Sequence, residues 1–269
     1  MHRGYRPTVA VTTRRTPAWR TALSLFTVLP VGGGAELSED QAARAVRWLP
    51  AVGLLLGLAG ATVILGVGAD GSSGPRRLLG VALAIALLAL LTGGLHLDGL
   101  ADTADGLGSR RARADALAIM RRPDVGPMGV AALVLVLLVQ VTALAAVPDR
   151  AAASLVLAEV TARVAVVVAT GSPAARPGGF GALVVGRTSP RARTSIVVLL
   201  GCAIAVAGLA SDGAGLAVRG LVAALIGLLA GRLLQLVARR RLGGMTGDVF
   251  GAIVEVTAAA VLVACVLVS

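Results

Sequence analysis

Three aspartates stand within eight residues in the stretch 92–108, TGGLHLDGLADTADGLG. Read as helix, Asp98, Asp102 and Asp105 are four and three residues apart, so at roughly 100° per residue they fall within about 60° of one another on one face. Like charges so placed repel each other, and at the boundary of an apolar segment they are also poorly hydrated. A cation among the carboxylates relieves both costs. Oxygen-only ligands suit a hard ion, Mg²⁺ before zinc or copper. The plainer reading is an acidic, solvated helix end after a membrane span. The glycines speak against it, because Gly93, Gly94, Gly99, Gly106 and Gly108 weaken a plain helix while permitting close backbone approach to a ligand. This stretch is the expected active site.

Composition says what kind of scaffold must hold it. The chain has 269 residues, 57% hydrophobic and only 2% aromatic, with a mean hydropathy of +0.88. So few aromatics leave little bulk for the core of a water-soluble enzyme of this length. The apolar residues also come in blocks that approach or exceed the length needed to cross a bilayer. The expected fold is all-α, a polytopic integral membrane helical bundle with the lipid bilayer as its surroundings. The formal net charge is +11, and all 25 basic residues are arginine. They cluster between the apolar runs, which suits membrane orientation and attraction to anionic lipid or phosphate; no nucleic-acid partner is expected. Cys202 and Cys265 stand singly in separate apolar runs and read as small apolar residues.

In chain order, residues 1–20 form a basic extension and 21–269 a single transmembrane catalytic domain. The basic start followed by Thr21 to Val31 has the outline of a signal peptide. A short amphipathic helix on the membrane surface, ended by Pro30, suits the segment better. Ser38-Glu39-Asp40 supplies the start of a helix carrying Arg44 and Arg47. Seven spans follow, at about 49–68, 78–97, 128–147, 151–170, 195–211, 216–237 and 251–268. The fourth carries Glu159 and Arg163, four apart on one face, readable as a mutual ion pair or as ligand-binding groups inside the membrane. With the N-terminus inside, loops 98–127, 171–194 and 238–250 hold five, four and three arginines, more than any outer loop. This obeys the positive-inside rule. It directs the acidic site to the cytoplasmic side of a multi-pass protein of the bacterial cell (plasma or inner) membrane, the side where nucleotides are found. A homo-oligomer is compatible with such a bundle.

Two more motifs share that face. Ile119 to Gly129, IMRRPDVGPMG, enters the third span, and Arg121 with the Gly126 backbone suits phosphate oxygens. The plainer reading of its arginines is ordinary positive-inside anchoring. Gly243 to Gly251, GGMTGDVFG, enters the last span. A turn built from Gly243, Gly244, Thr246 and Gly247 at a helix start can present N–H groups to an anion. Asp248 adds a fourth carboxylate, and Glu255 follows on the same helix face. On a continuous helix His96 points away from Asp98 by about 160°. A break at Gly99 would bring it round to act as acid, base or phosphate donor. No Ser-His-Asp or Cys-His arrangement, Walker A or GxGxxG pattern is present.

These motifs together resemble one family, cobalamin synthase or adenosylcobinamide-GDP ribazoletransferase. The likeness runs from Thr21 to about Glu255, and GGLHLDGLADTADGL at 93–107 is its most specific element. Supporting it are Leu25 to Val31, Leu49 to Gly53, Ile119-Met120-Arg121 with Gly126 and Gly129, Arg163, and Gly243 to Asp248. Val28 departs from the family's usual arginine, and Arg122 and Asp124 transpose the acid and base of its D-S-R-x-G element. The resemblance implies a membrane-integral, Mg²⁺-dependent transferase performing the last step of cobalamin (vitamin B12) biosynthesis. It would join adenosylcobinamide-GDP to α-ribazole, or to α-ribazole 5′-phosphate, giving adenosylcobalamin or its 5′-phosphate and GMP. On this reading the α-ribazole 5′-hydroxyl attacks the phosphorus next to the cobinamide arm. Asp98, Asp102, Asp105 and Asp248 hold Mg²⁺, Asp105 accepts the proton, and His96 is a further catalytic candidate. Arg121, Gly126, Arg163, Gly243, Gly244, Thr246 and Gly247 contact substrate.

Two rivals remain at this point. CDP-alcohol phosphotransferases also line a span end with aspartates, but their signature needs D-x-x-D-G-x-x-A-R and a second G-x-x-x-D-x-x-x-D, which this chain lacks. A transporter would use Glu159 and Arg163 as a coupling pair and would carry internal repeats, of which none is evident.

Overall fold

The computed structural model of the protein describes residues 16–31, 38–68, 74–211 and 213–268. Its helices are α1 (Ala18–Phe26), α2 (Glu39–Val46), α3 (Leu49–Gly68), α4 (Gly74–Leu91), α5 (Leu95–Gly108) and α6 (Arg113–Ile119). They continue as α7 (Pro127–Ala146), α8 (Ala151–Ala169), α9 (Gly179–Val184), α10 (Pro190–Ser211), α11 (Ala214–Arg241) and α12 (Gly247–Leu267). The fold is an all-α bundle, and α3, α4, α7, α8, α10, α11 and α12 are long and apolar enough to cross a membrane. The start of the basic extension, residues 1–15, lies outside the described residues, as do Gly32 to Gly34.

Local chemistry sets the helix ends. The Ser38 hydroxyl accepts the Gln41 N–H and the Gln41 side chain accepts the Ser38 N–H, a complete capping box that starts α2. The second span stops at Leu91, short of the expected 97, because Gly93 and Gly94 take φ of 60° and 71°. That left-handed backbone suits glycine and ends the helix. The residues after it start a separate helix, α5. The last span begins four residues earlier than expected, because the Thr246 hydroxyl accepts the Val249 N–H at 3.2 Å. Asp248 therefore stands in the first helical turn rather than in the loop.

α8 and α12 are the most enclosed spans, and the others gather round them. α3 reaches α8 through small residues: a Cβ at Gly53 would stand 2.5 Å from the Glu159 carbonyl oxygen, and one at Gly57 2.8 Å from the Val156 Cα. Backbones meet this closely only where side chains are missing. α10 is the least covered span and turns Val198, Leu199, Val206 and Leu209 outward. In water that face would invite aggregation; against lipid it costs nothing.

Candidate active site

α5 carries the three aspartates on one helix that runs unbroken through Gly99. Asp98 is exposed and Asp102 and Asp105 are half-buried, while His96 and Gly99 are buried. A Cβ at Gly99 would stand 2.6 Å from the Asp248 carbonyl oxygen, and one at Gly251 would meet the Gly99 Cα at 3.3 Å. α5 and α12 thus cross backbone to backbone, which requires glycine on both sides. This crossing brings Asp248 to the α5 carboxylates, and the charges of Asp98, Asp248 and Asp105 all act on Asp102. Two glycine-rich segments far apart in sequence meet here.

Asp105 has a different environment from its neighbours. Its two carboxylate oxygens accept the Gly126 N–H at 2.7 Å and the Gly129 N–H at 2.8 Å. A negative group on the free N–H groups of a helix start is favourable for both. A Cβ at either glycine would stand 2.5 Å from the same carboxylate. Asp105 therefore fastens the start of α7 to α5. The Gly126 N–H, expected from sequence to meet substrate, is held in that bond.

The second glycine-rich segment is also built into the framework. The Met245 N–H donates to the Pro173 carbonyl at 2.8 Å and the Ala175 N–H to the Met245 carbonyl at 2.9 Å, a one-residue parallel bridge. Gly244 packs against Pro173 and Ala174, and the Arg113 guanidinium lies over Gly243 while donating to the Ala175 carbonyl at 2.5 Å. Thr246 caps α12 and its hydroxyl donates to Asp248 Oδ2 at 3.1 Å. Gly247 alone of this set keeps room, with Phe180 Cβ as the nearest neighbour to a Cβ there, at 3.6 Å. The segment that carries Gly243, Gly244 and Thr246 is thus stitched to the loop after α8, a structural part in addition to the anion cradle expected from sequence.

That stitch delivers a residue the sequence reading counts only as an anchor. Arg176 follows the bridge, and its Nη2 lies 3.8 Å from Asp248 Oδ2. Its Nη1 is buried and has no hydrogen-bond partner among the described residues. A single arginine in a loop carries no periodic signal; only its Ala-Arg-Pro-Gly-Gly setting hints at a fixed turn.

Other expected residues are not gathered to the carboxylates. Arg121 is exposed and turns its Nε toward its own helix, 3.5 Å from the Leu117 carbonyl. Arg163 is only 2% exposed within α8 and binds Glu159 Oε2 at 2.5 Å, so of the two sequence readings the ion pair is the one formed. Glu255 accepts a hydrogen bond from Gln140 Nε2 at 2.8 Å across α7 and α12. His96 stays on the buried side because Gly99 packs rather than kinks. Burial first and the nearby Arg163 charge second hold its imidazole well below its usual pKa. It is neutral at physiological pH.

Asp102 is pushed up to about 6, by burial first and then by Asp98, Asp248 and Asp105, with Arg176 opposing. Among the described residues no three His, Cys, Asp or Glu side chains converge as a ready-made metal cluster. The donor set still fits a hard cation: it is all oxygen, anionic and self-repelling. Mg²⁺ keeps several waters and takes only one or two carboxylates.

Fold and site together define an integral-membrane helical protein with a group of carboxylates where α5 crosses the start of α12, edged by an arginine whose Nη1 has no partner among the described residues. Residues 18–266 match the family model described as cobalamin-5-phosphate synthase, and the chain belongs to that family. It is 40% identical over 256 residues to the adenosylcobinamide-GDP ribazoletransferase of Frankia casuarinae, covering 90% of this chain and 92% of that one. It is 41% identical over 255 residues to the Pseudomonas aeruginosa protein of the same name, covering 91% and 96%. The Bradyrhizobium diazoefficiens protein of that name is 38% identical over 236 residues, covering 87% and 86%. No solved structure matches the chain.

Proposed function

We infer that the protein is an adenosylcobinamide-GDP ribazoletransferase, working where α5, the start of α12 and Arg176 meet. One observation carries the reading: in a chain of this family, the glycine crossing of α5 and α12 brings Asp248 to the helix of Asp98 and Asp102, beside a guanidinium that stays 3.8 Å from its carboxylate. The reaction needs a nucleophilic hydroxyl, a pyrophosphate held in line and a stabilised leaving GMP.

A ribose hydroxyl of α-ribazole attacks the phosphorus next to the cobinamide arm. A P–O bond forms to it, and the P–O bond to the bridging oxygen breaks as GMP leaves. The 5′-hydroxyl expected from sequence does not suit this role. The family description names a cobalamin 5-phosphate product, so the 5′ oxygen is already occupied and a secondary hydroxyl attacks. Asp102, which accepts no hydrogen bond among the described residues, takes the proton; Asp105 is committed to the α7 backbone and positions rather than reacts. Arg176 binds the leaving phosphate, for which a guanidinium fork is well matched. Asp98, Asp102 and Asp248 would hold Mg²⁺, which when bound offsets the charge on the pyrophosphate oxygens. No covalent enzyme intermediate is required.

The arginine-rich loops favour a cytoplasmic site. Cysteines placed at Ser109 and Arg240 are then shielded from an impermeant reagent in intact cells, and labelling of both from outside overturns the orientation. The function is tested with purified protein, Mg²⁺, adenosylcobinamide-GDP and α-ribazole or its 5′-phosphate. GMP and the cobalamin product should appear together; no release of GMP sinks the reading.

A further inference from the structure

A cavity of about 590 Å³ opens beside Asp98 and uses a segment to which the transfer chemistry assigns nothing, the stretch after α1. Its size lies within the range of small-molecule sites, about 300–1,000 Å³. One wall is Leu25, Thr27 and Val28, fixed by the Val28 N–H donating to the Leu91 carbonyl at 2.8 Å. The Thr92–Gly94 turn, Leu97, Val125 and Leu133 complete it. Neither Asp248 nor Arg176 lines it. The carboxylate group thus has two unlike neighbours, a guanidinium and an apolar slot.

The polar inventory of the slot selects its occupant. Both lining hydroxyls already donate to the backbone, Thr27 to the Leu23 carbonyl at 2.6 Å and Thr92 to the Leu88 carbonyl at 2.9 Å. Among the described residues Asp98 is the one charged group in the lining. Guanine or adenine placed here would find no side-chain partner for its hydrogen-bonding edge except Asp98, so the slot offers a purine nothing to select it. A corrin brings amide arms with the same difficulty. A benzimidazole nucleoside keeps one ring-nitrogen acceptor on its imidazole side, but its benzo edge and flat faces are apolar, so it enters an apolar slot benzo edge first without that difficulty.

We propose that this cavity seats the benzimidazole base of α-ribazole and so brings its ribose hydroxyls to the carboxylate group, whose Asp98 forms the cavity's edge. The proposal rests on the transferase reading above and names the acceptor subsite of the same site. The slot rim includes Val28 and Val125, which are 60% and 50% exposed, so enlarging either fills the mouth without disturbing the core.

The test compares the full-length protein with Val28→Trp and, should that variant fail to fold, Val125→Trp. Equilibrium dialysis of α-ribazole and the two substrates' KM values are read separately. The expected result is a tenfold or greater weakening for α-ribazole, with KM for adenosylcobinamide-GDP within twofold of wild type. An equal rise for both substrates, or a rise for adenosylcobinamide-GDP alone, overturns the assignment. So does no change in either, which leaves the slot to lipid chains. Wild-type protein that binds α-ribazole through the slot yet releases no GMP defeats the transferase reading and leaves the slot standing.

Discussion

Two arginine–carboxylate pairs in this molecule look alike in composition and differ in distance, exposure and the segments that supply them. Arg163 and Glu159 sit one turn apart on α8, nearly inaccessible, with nitrogen and oxygen 2.5 Å apart. Arg176 and Asp248 come from separate segments, keep about a quarter of each side chain exposed, and stand 3.8 Å apart. The first pair neutralises itself inside the bilayer, where an unpaired charge is expensive. Each arginine keeps one buried nitrogen without a hydrogen-bond partner among the described residues, Arg163 Nε and Arg176 Nη1, but only the second pair stays open. A closed pair belongs to the framework. An open pair beside three more carboxylates has capacity left for a ligand, and that difference separates the stability of this protein from its chemistry.

The largest effect belongs to the carboxylates on the open side. Asp102→Asn keeps the shape and removes the charge, so turnover should fall by about 10³ or more, on the scale of losing a group that acts on the transition state. Asp115→Asn, on α6 outside the cluster, should leave turnover near wild type. Normal GMP release by Asp102→Asn under saturating Mg²⁺ would remove Asp102 from the mechanism.

Arg176→Ala should lower kcat by about 10²-fold, as loss of one oxyanion donor does. Its melting temperature should stay within a degree or two, since an open, partly exposed pair contributes little stability. Arg163→Met should invert the pattern. Removing one member of a buried pair costs about 3–5 kcal/mol, so the melting temperature should drop sharply while the folded fraction keeps turnover within a few-fold. Glu159→Gln with Arg163→Met should recover much of the lost stability. If Arg163→Met abolishes turnover with its melting temperature intact, the buried pair has a chemical role and the contrast fails.

These residues also show what sequence could reveal. The spans were legible because bilayer thickness imposes a length on every apolar run. The aspartate cluster was legible because helical spacing is local, and Asp248 could be recruited because its segment looks similar. The break at Gly93-Gly94 lies inside a run whose hydropathy continues into Leu97, so hydropathy alone carries the span past its end at Leu91. Arg176 was missed for a topological reason: a single bridge between Ala174 and Met245 places it, and that pairing leaves no periodic trace. Gly126 reads from sequence as part of a phosphate site. A glycine needed beneath a carboxylate from another helix gives the same pattern as one needed beneath a phosphate.

The smallest expected effect is a pair of pH shifts of opposite sign. Asp102 stands at about 6 through burial and three neighbouring carboxylates, with Arg176 pulling it down. If its ionised form is required, kcat/KM should fall as pH drops through about 6, where the carboxylate takes a proton and can neither accept another nor attract a cation. Asp248→Asn removes one repelling charge; Asp102 then ionises more readily, and the acid limb should move to lower pH. Arg176→Gln removes the opposing positive charge, so Asp102 holds its proton longer and the limb should move to higher pH. Rates normalised to each variant's own plateau separate these shifts from the loss of activity itself. The profiles are best taken at fixed Mg²⁺, because a bound cation stabilises the ionised form and draws every limb downward. Limbs that move together, or stay where wild type has them, would show that Asp102 does not feel the open pair, and the two arginine pairs would then differ in accessibility alone.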